Sequence, residues 1–392
     1  MKKYFSLFIL YYLRFFAKLQ LLKNRQMTIV GITSSAGKSS TVAACQAALS
    51  SKYKIKTNGG TNSESGIPLS ILGIKVNGYS PIDWLKYCLL APISLLTNWQ
   101  KYDIYLCEMG IDSPNSPKNM SYLLSIVKPQ IGIFLNVNLV HGEFFKDINH
   151  IGLEKSKLIT SLPSTGYALI NNRDPIVAQT TQNTLAKKIF LKPIHIDFNN
   201  FAPPASFDIS TSSAINLAQL FNINQQLAID NIKNNLVLPP SRSSLFLGIN
   251  NSTIIDSSYN SSPLACSKML AVLAKFPSPR IAILGDMREL GNHSKSAHQE
   301  IYRQALKSAN TIISVGMETQ QYFGDKAIKF SNYSEASNYL KQNLPQNASI
   351  LIKGSQNTIF LEELVKSILL NPTDSSKLCR QSSYWLKIKN II

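Results

Sequence analysis

Short, continuous apolar runs alternate along this chain with helix-like segments. The runs Thr28 to Thr33, Asp103 to Met109, Gln130 to Asn136, Tyr167 to Ile170, Ile281 to Asp286, Thr311 to Gly316 and Ser349 to Gly354 read as strands. Several are apolar at successive positions, the pattern of strands covered by helices on both faces. Strand alternating with helix predicts doubly wound parallel sheets, an α/β class. A Pro- and Ser-rich stretch at residues 201 to 211 reads as a loop, and LPPSRSS at 238 to 244 reads as a linker. These breaks predict a central domain over 26–240 and a C-terminal domain over 241–392, whose interface is the default place for a ligand. There is no internal repeat and no low-complexity tract.

The amino terminus departs from this alternation. Residues 1–25 hold a mostly apolar run, Tyr4 to Leu13, followed by Arg14, Lys18, Lys23 and Arg25, with no small-residue cleavage site. The stretch from Tyr4 to Leu22 is almost long enough to span a bilayer. Arg14 and Lys18 would then cost roughly 2.5–3.5 kcal/mol each near its centre. A helix lying on an anionic membrane surface, with its cations snorkelling to the headgroups, avoids that cost. A helix docked on the protein's own surface accounts for the same pattern.

Charge sharpens the list of partners. The chain of 392 residues carries 40 Lys+Arg against 22 Asp+Glu, a formal net charge of +18, which favours anionic ligands. The basic residues are scattered, without an Arg-rich arm or aromatic interleaving, which argues against nucleic acid. Five cysteines without CxxC spacing argue against a disulfide framework or structural zinc, and for a reducing, cytoplasmic compartment.

The chemistry is concentrated first in GITSSAGKSST, residues 31 to 41, between an apolar strand and a helix-like segment. Strand, glycine-containing turn, Lys-Ser and helix make a phosphate cradle, in which backbone N–H groups and the helix dipole hold the anion. Gly31, Thr33, Ser35, Gly37, Ser39 and Ser40 are candidate nucleotide contacts. Lys38 is placed to reach the β/γ-phosphates, and the Ser39 hydroxyl to ligate Mg²⁺. The spacing is imperfect, because Ile32 stands where the strict pattern has glycine. Taken alone, the stretch also reads as an ordinary Gly-Lys-Ser turn.

Other constellations follow strand ends. YLCEMG places Glu108 at the carboxyl end of a strand, facing the ligand crevice, where it suits Mg²⁺ or caps a helix. FLNVNLVHG places His141 beyond another strand, as a metal ligand, a general base or a structural histidine. Lys155 follows fourteen residues later, at the start of a helical segment. IIDSSYNSSP brings Asp256, Tyr259 and Asn260 together, ILGDMRELG precedes His298, and LIKGSQN carries Lys353. Each also reads as a polar turn.

Together with TNSESGIPLSIL at 61 to 72 and INNRDP, these segments resemble, in order and spacing, the Mur ligase family of ATP-dependent amide-forming enzymes of peptidoglycan assembly. The resemblance implies a P-loop-type central domain with a parallel sheet and a Rossmann-like C-terminal α/β domain. It implies ATP and Mg²⁺, with Lys38 and Ser39 on phosphate and metal, Glu108 on Mg²⁺ and His141 on a second Mg²⁺. Lys155, in preference to Lys157, aligns with a lysine that the family carbamylates into a metal ligand. Asn171 would contact adenine, and Asp256, Tyr259 and Asn260 would complete the nucleotide site on closure. Asn62, Glu64 and Lys353 fall on the substrate side. The implied activity is the joining of D-alanyl-D-alanine to a UDP-linked muramoyl tripeptide through an acyl phosphate, by a monomer in the cytoplasm or at the inner face of the membrane.

Departures accompany the resemblance. Ser34 replaces a loop glycine, and Arg173 and Ser257 each replace an Asp. Only about 25 residues precede the nucleotide-binding core, where family members carry a UDP-gripping domain. The alternatives are therefore a related ligase with a lipid-linked, polyglutamate or other non-UDP acceptor, and a nucleotide-binding regulator at the membrane without turnover.

Overall fold

The computed structural model describes residues 2–138, 144–355 and 358–389, with backbone alone for 2–5. Two compact units emerge, one of residues 1–196 and 207–237, the other of 197–206 and 238–392.

The first unit is built on six strands: β1 (Thr28–Thr33), β2 (Ile55–Thr57), β3 (Ile104–Glu108), β4 (Ile131–Phe134), β5 (Tyr167–Ile170) and β6 (Lys187–Phe190). All pair in parallel, in the order β2-β3-β1-β4-β5-β6. Helices α1 (Lys2–Leu22), α2 (Lys38–Leu49), α3 (Gly66–Leu72), α4 (Pro81–Thr97), α5 (Met120–Ile126), α6 (Ile148–Thr160), α7 (Pro175–Thr180), α8 (Phe207–Leu220) and α9 (Gln225–Asn235) surround the sheet. β1 is buried along almost its whole length, because helices cover it on both faces. Gly31 lets α6 come close: a Cβ there would lie 2.6 Å from Leu158 and 2.9 Å from Pro129.

The amino-terminal helix is docked on this unit. Leu13 and Ala17 are fully buried, and Ile9 and Leu10 nearly so, against α3, α4 and α5. The Tyr12 hydroxyl donates to the Cys88 carbonyl at 3.1 Å, and Gln20 donates to the Asn98 carbonyl at 2.8 Å. Among the described residues no helix is long and apolar enough to cross a membrane.

The second unit carries β7 (Ser244–Gly248), β8 (Ser252–Asp256), β9 (Arg280–Gly285), β10 (Thr311–Val315), β11 (Ala327–Phe330) and β12 (Ser349–Lys353). Their order is β11-β10-β9-β12-β8-β7, parallel except for the hairpin of β7 with β8. Helices α10 (Pro263–Leu273) and α11 (Ser294–Ser308) cover one face. The expected loop at 201–211 divides. Phe207 already begins α8, while Phe201 bridges to Ser244 and the Ala202 N–H donates to the Ser243 carbonyl at 2.9 Å. Residues 197–206 thus lie on the edge of the second sheet, not in the central domain where the sequence reading put them.

Candidate active site

The turn after β1 leads through Ser34–Gly37 into α2, with Gly37 at φ +91°, a left-handed geometry that favours glycine. The N–H groups of Ser39 and Ser40 precede the first intrahelical bond, from the Thr41 N–H to the Gly37 carbonyl at 2.9 Å. That end of a helix is where an anion binds.

Two asparagines fix the turn. The Asn136 side chain accepts from the Ala36 N–H at 3.0 Å and donates to the Ala36 carbonyl at 2.9 Å. The Asn136 carbonyl takes the Ser35 N–H at 3.0 Å, and the Ser35 hydroxyl exchanges bonds with the Asn138 main chain at 3.1 and 2.9 Å. Ser35 therefore serves the loop's own shape. Gly31 and Thr33, read from the sequence as nucleotide contacts, lie within β1. Gly31 faces α6, and the buried Thr33 hydroxyl donates to the Met109 carbonyl at 3.0 Å. Both belong to the core beneath the cradle.

Ser34 is fully buried, and its carbonyl gathers two lysines. Lys38 Nζ donates to it at 2.9 Å and Lys155 Nζ at 3.1 Å. Lys155 stands in the middle of α6, not at the start of a helix as expected. Burial first, and then the Lys38 charge, holds its pKa well below the usual lysine range. Lys157, the rejected alternative, turns back to Glu154 at 2.5 Å.

At the end of β3, Glu108 is buried and shared. Its Oε2 accepts from the Ser39 hydroxyl at 2.9 Å, and its Oε1 accepts from Asn62 at 2.9 Å. Asn58 clamps the Glu108 backbone, accepting from its N–H at 2.9 Å and donating to its carbonyl at 2.8 Å. A Cβ on Gly110 would lie 2.9 Å from the Asn62 side chain, so a bulkier residue there would displace it. Glu64 lies nearby in the chain; burial raises its pKa against the pull of Lys118. One carboxylate, one hydroxyl and one amide oxygen are hard donors of the kind Mg²⁺ takes while keeping water and phosphate oxygens. Among the described residues no group of three or more His, Cys, Asp or Glu forms an all-protein cage. His141 lies outside the described residues.

Asn171, after β5, donates to the Leu135 carbonyl at 2.7 Å, and Asp174 accepts from the Val137 N–H at 3.0 Å, bracing the β4 loop from the other side.

The second unit forms its own polar cluster. Asp256 is fully buried; burial raises its pKa, and its Oδ2 has no hydrogen-bond partner among the described residues. Lys353 donates to the Asn260 carbonyl at 2.7 Å and to Ser257 at 3.5 Å; burial chiefly lowers its pKa to about 8. Arg242 and Arg380 approach the Tyr259 ring at 4.6 and 5.7 Å. His298 is structural: Nε2 accepts from the Met287 N–H at 3.0 Å, so Nδ1 carries the proton toward the Ser294 carbonyl at 2.8 Å.

Sequence reasoning missed Asn58 and Asn136. Asn58 precedes one quoted motif and Asn136 lies within another, but their partners are backbone groups far away in the chain.

A phosphate-cradling turn whose lysines and buried glutamate converge on a helix start, followed by a second α/β unit, is the build of a nucleotide-dependent ligase, and the chain belongs to the Mur ligase family. The Mur ligase middle domain matches residues 32–232, and the Mur ligase glutamate ligase domain matches 242–356. The chain is similar to UDP-N-acetylmuramoyl-tripeptide–D-alanyl-D-alanine ligase of Buchnera aphidicola (subspecies Acyrthosiphon pisum), 27% identical over 355 residues, spanning 82% of this chain and 76% of that one. The Escherichia coli protein of the same name is 24% identical over 385 residues, spanning 88% and 77%. Among solved structures, MurF ligase from Thermotoga maritima in complex with ADP superposes with a TM-score of 0.76 at 20% identity, covering 91% of this chain and 83% of that one. E. coli FolC in complex with DHPP and ADP gives 0.62 at 13% identity, covering 91% and 92%. These superpositions establish a shared fold.

Proposed function

We propose that this protein is an ATP-dependent carboxylate–amine ligase of peptidoglycan precursor synthesis, joining D-alanyl-D-alanine to a UDP-muramoyl tripeptide. The observation that carries the proposal is the convergence of Lys38, Lys155, Ser39 and Glu108 on the turn after β1. The names of the curated relatives supply the substrates.

In this reading the start of α2 and Lys38 hold the β/γ-phosphates of ATP. A terminal carboxylate oxygen of the tripeptide attacks the γ-phosphorus and ADP departs, leaving an acyl phosphate. The amine of D-alanyl-D-alanine attacks the carbonyl carbon, gives up a proton, and phosphate leaves with the former C–O bond. Mg²⁺, held by Ser39 and Glu108, supplies neutralisation of the phosphate charge when bound. Asn62 orients Glu108, and Asn58 fixes its backbone. His141 is assigned to a second metal, Asn171 to the adenine, and Glu64 and Lys353 to the substrate side. Asp256, Tyr259 and Asn260 are assigned to nucleotide binding.

Lys155 is assigned a carbamate. Its depressed pKa favours the neutral amine, which adds to CO₂ to form an N–C bond and releases one proton. The product turns a buried neutral amine beside Lys38 into an anion able to face metal. The protein acts as a monomer on the cytoplasmic side, with the amino-terminal helix against an anionic membrane surface.

Purified protein with ATP, Mg²⁺, UDP-muramoyl tripeptide and D-alanyl-D-alanine should release phosphate only when both substrates are present, with a product mass of the sum less water. Phosphate release that ignores the dipeptide, or nucleotide binding without turnover, refutes the proposal.

A further inference from the structure

The outward faces of α1 and α4 are apolar. On α4, Ile82, Leu85, Leu89, Ile93 and Leu96 recur at helical spacing and are exposed, Ile82 at 78% and Leu96 at 73%, and Trp99 continues the row at 67%. On α1, Phe8, Tyr11, Phe15 and Leu22 form a parallel row, with Phe8 at 65%. The half-buried Tyr12, Phe16, Trp84 and Cys88 lie along the seam between the helices. Ordinary soluble surfaces rarely carry so long an uncovered apolar band.

The charges around it have one sign. Lys18 lies in the α1 row and Lys86 in the α4 row, both exposed, and Lys101 follows Trp99. Lys23 reaches the last carbonyls of α4, at Leu95 and Asn98, and sits 3.9 Å from the centre of the Trp99 ring. The acid on α4, Asp83, is committed to the capping box with Ser80. Residues 1–101 hold 13 Lys+Arg against 2 Asp+Glu. Two copies of this face would bring like charges together, which disfavours self-pairing. Apolar side chains with tryptophan and lysine at their margin match the boundary between acyl chains and anionic headgroups.

We infer that α1 and α4 together form a docking surface for an anionic lipid bilayer, with the α4 row as the main inserting element. This deepens the proposed placement at a membrane face and rests on it, but it does not depend on the ligase chemistry.

The test is co-sedimentation of the full chain with phosphatidylcholine vesicles, with and without phosphatidylglycerol, alongside light scattering for oligomeric state. The exposed positions allow Leu85→Gln/Leu89→Gln/Ile93→Gln without disturbing the core; far-UV circular dichroism and turnover of soluble substrates should match the parent. The parent is expected to bind the anionic vesicles preferentially, and the triple variant at least about tenfold more weakly. Phe8→Gln/Phe15→Gln should weaken binding less. A triple variant that binds like the parent, while the α1 variant does not, leaves the amino-terminal helix as anchor and overturns the α4 surface. Absence of vesicle binding by the parent overturns both. A dimer that the triple variant dissolves, without lipid binding, makes the row a subunit interface and overturns the inference.

Discussion

Asn136→Ala isolates the contribution of a preformed cradle. The substitution removes both side-chain bonds to Ala36, at 3.0 and 2.9 Å, and leaves the main-chain bond from the Ser35 N–H intact. Two neutral hydrogen bonds at about 1 kcal/mol each make the ordered turn about 2 kcal/mol less favourable. If the triphosphate is received only by the ordered turn, affinity falls with the ordered fraction, by up to that whole amount, about 30-fold at 1.4 kcal/mol per decade. The assay is titration calorimetry with ATP and Mg²⁺, paired with hydrogen exchange at the Ala36 amide, which should accelerate in the variant. kcat/KM for ATP should fall in step with affinity. Accelerated exchange with unchanged ATP affinity would refute the reasoning, because the turn's order would then be irrelevant to the ligand.

Glu108→Gln should lower kcat by about a hundredfold or more and move half-saturation by Mg²⁺ upward, measured by phosphate release across a magnesium series; an unshifted magnesium curve contradicts the assignment. Lys155→Ala should abolish turnover and regain part of it with short-chain carboxylates, while a variant as active as the parent ends the carbamate assignment. Lys353→Met tests the second unit. A drop from 10.5 to about 8 means the protonated amine opposes folding by about 3 kcal/mol below pH 8, relieved as pH rises toward 10.5. After about 1 kcal/mol for the lost bond to the Asn260 carbonyl, the variant should be about 2 kcal/mol more stable at pH 7 and lose that advantage by pH 10.5. Urea unfolding followed through Trp385, with Trp84 and Trp99 replaced by Phe, reads the second unit alone.

The strands that could be read from the sequence were those buried on both faces. β1, β3, β4, β9 and β12 announce themselves as apolar runs because solvent touches neither side. The three-residue β2 and the exposed edge strand β6, with Lys187 and Lys188, carry no such signal. α4 escaped because its apolar residues lie on both its inner and outer faces, so it lacks the polar stripe that marks a surface helix. In the site, the Ser39 hydroxyl and the Asn62 amide meet on Glu108, although the motifs put Asn62 on the substrate side, and Lys38 turns to the Ser34 carbonyl. Gly31 and Thr33 read as nucleotide contacts in the sequence, although strand geometry turns them into the core. Asn58 and Asn136 act on backbone groups 50 and 100 residues distant, and an asparagine carries no local mark of such a partner.

The chain passes between its two units three times, near residues 196, 206 and 237. A gene cut at the obvious proline pair, Pro239–Pro240, would thus strand residues 197–206 on the wrong fragment. The distal fragment would be made with β7 uncovered where Phe201 and Ala202 normally lie, and its open rim would invite stacking with its own kind. The halves of this molecule are interleaved in the message that encodes them, and a faithful dissection requires a graft instead of a truncation.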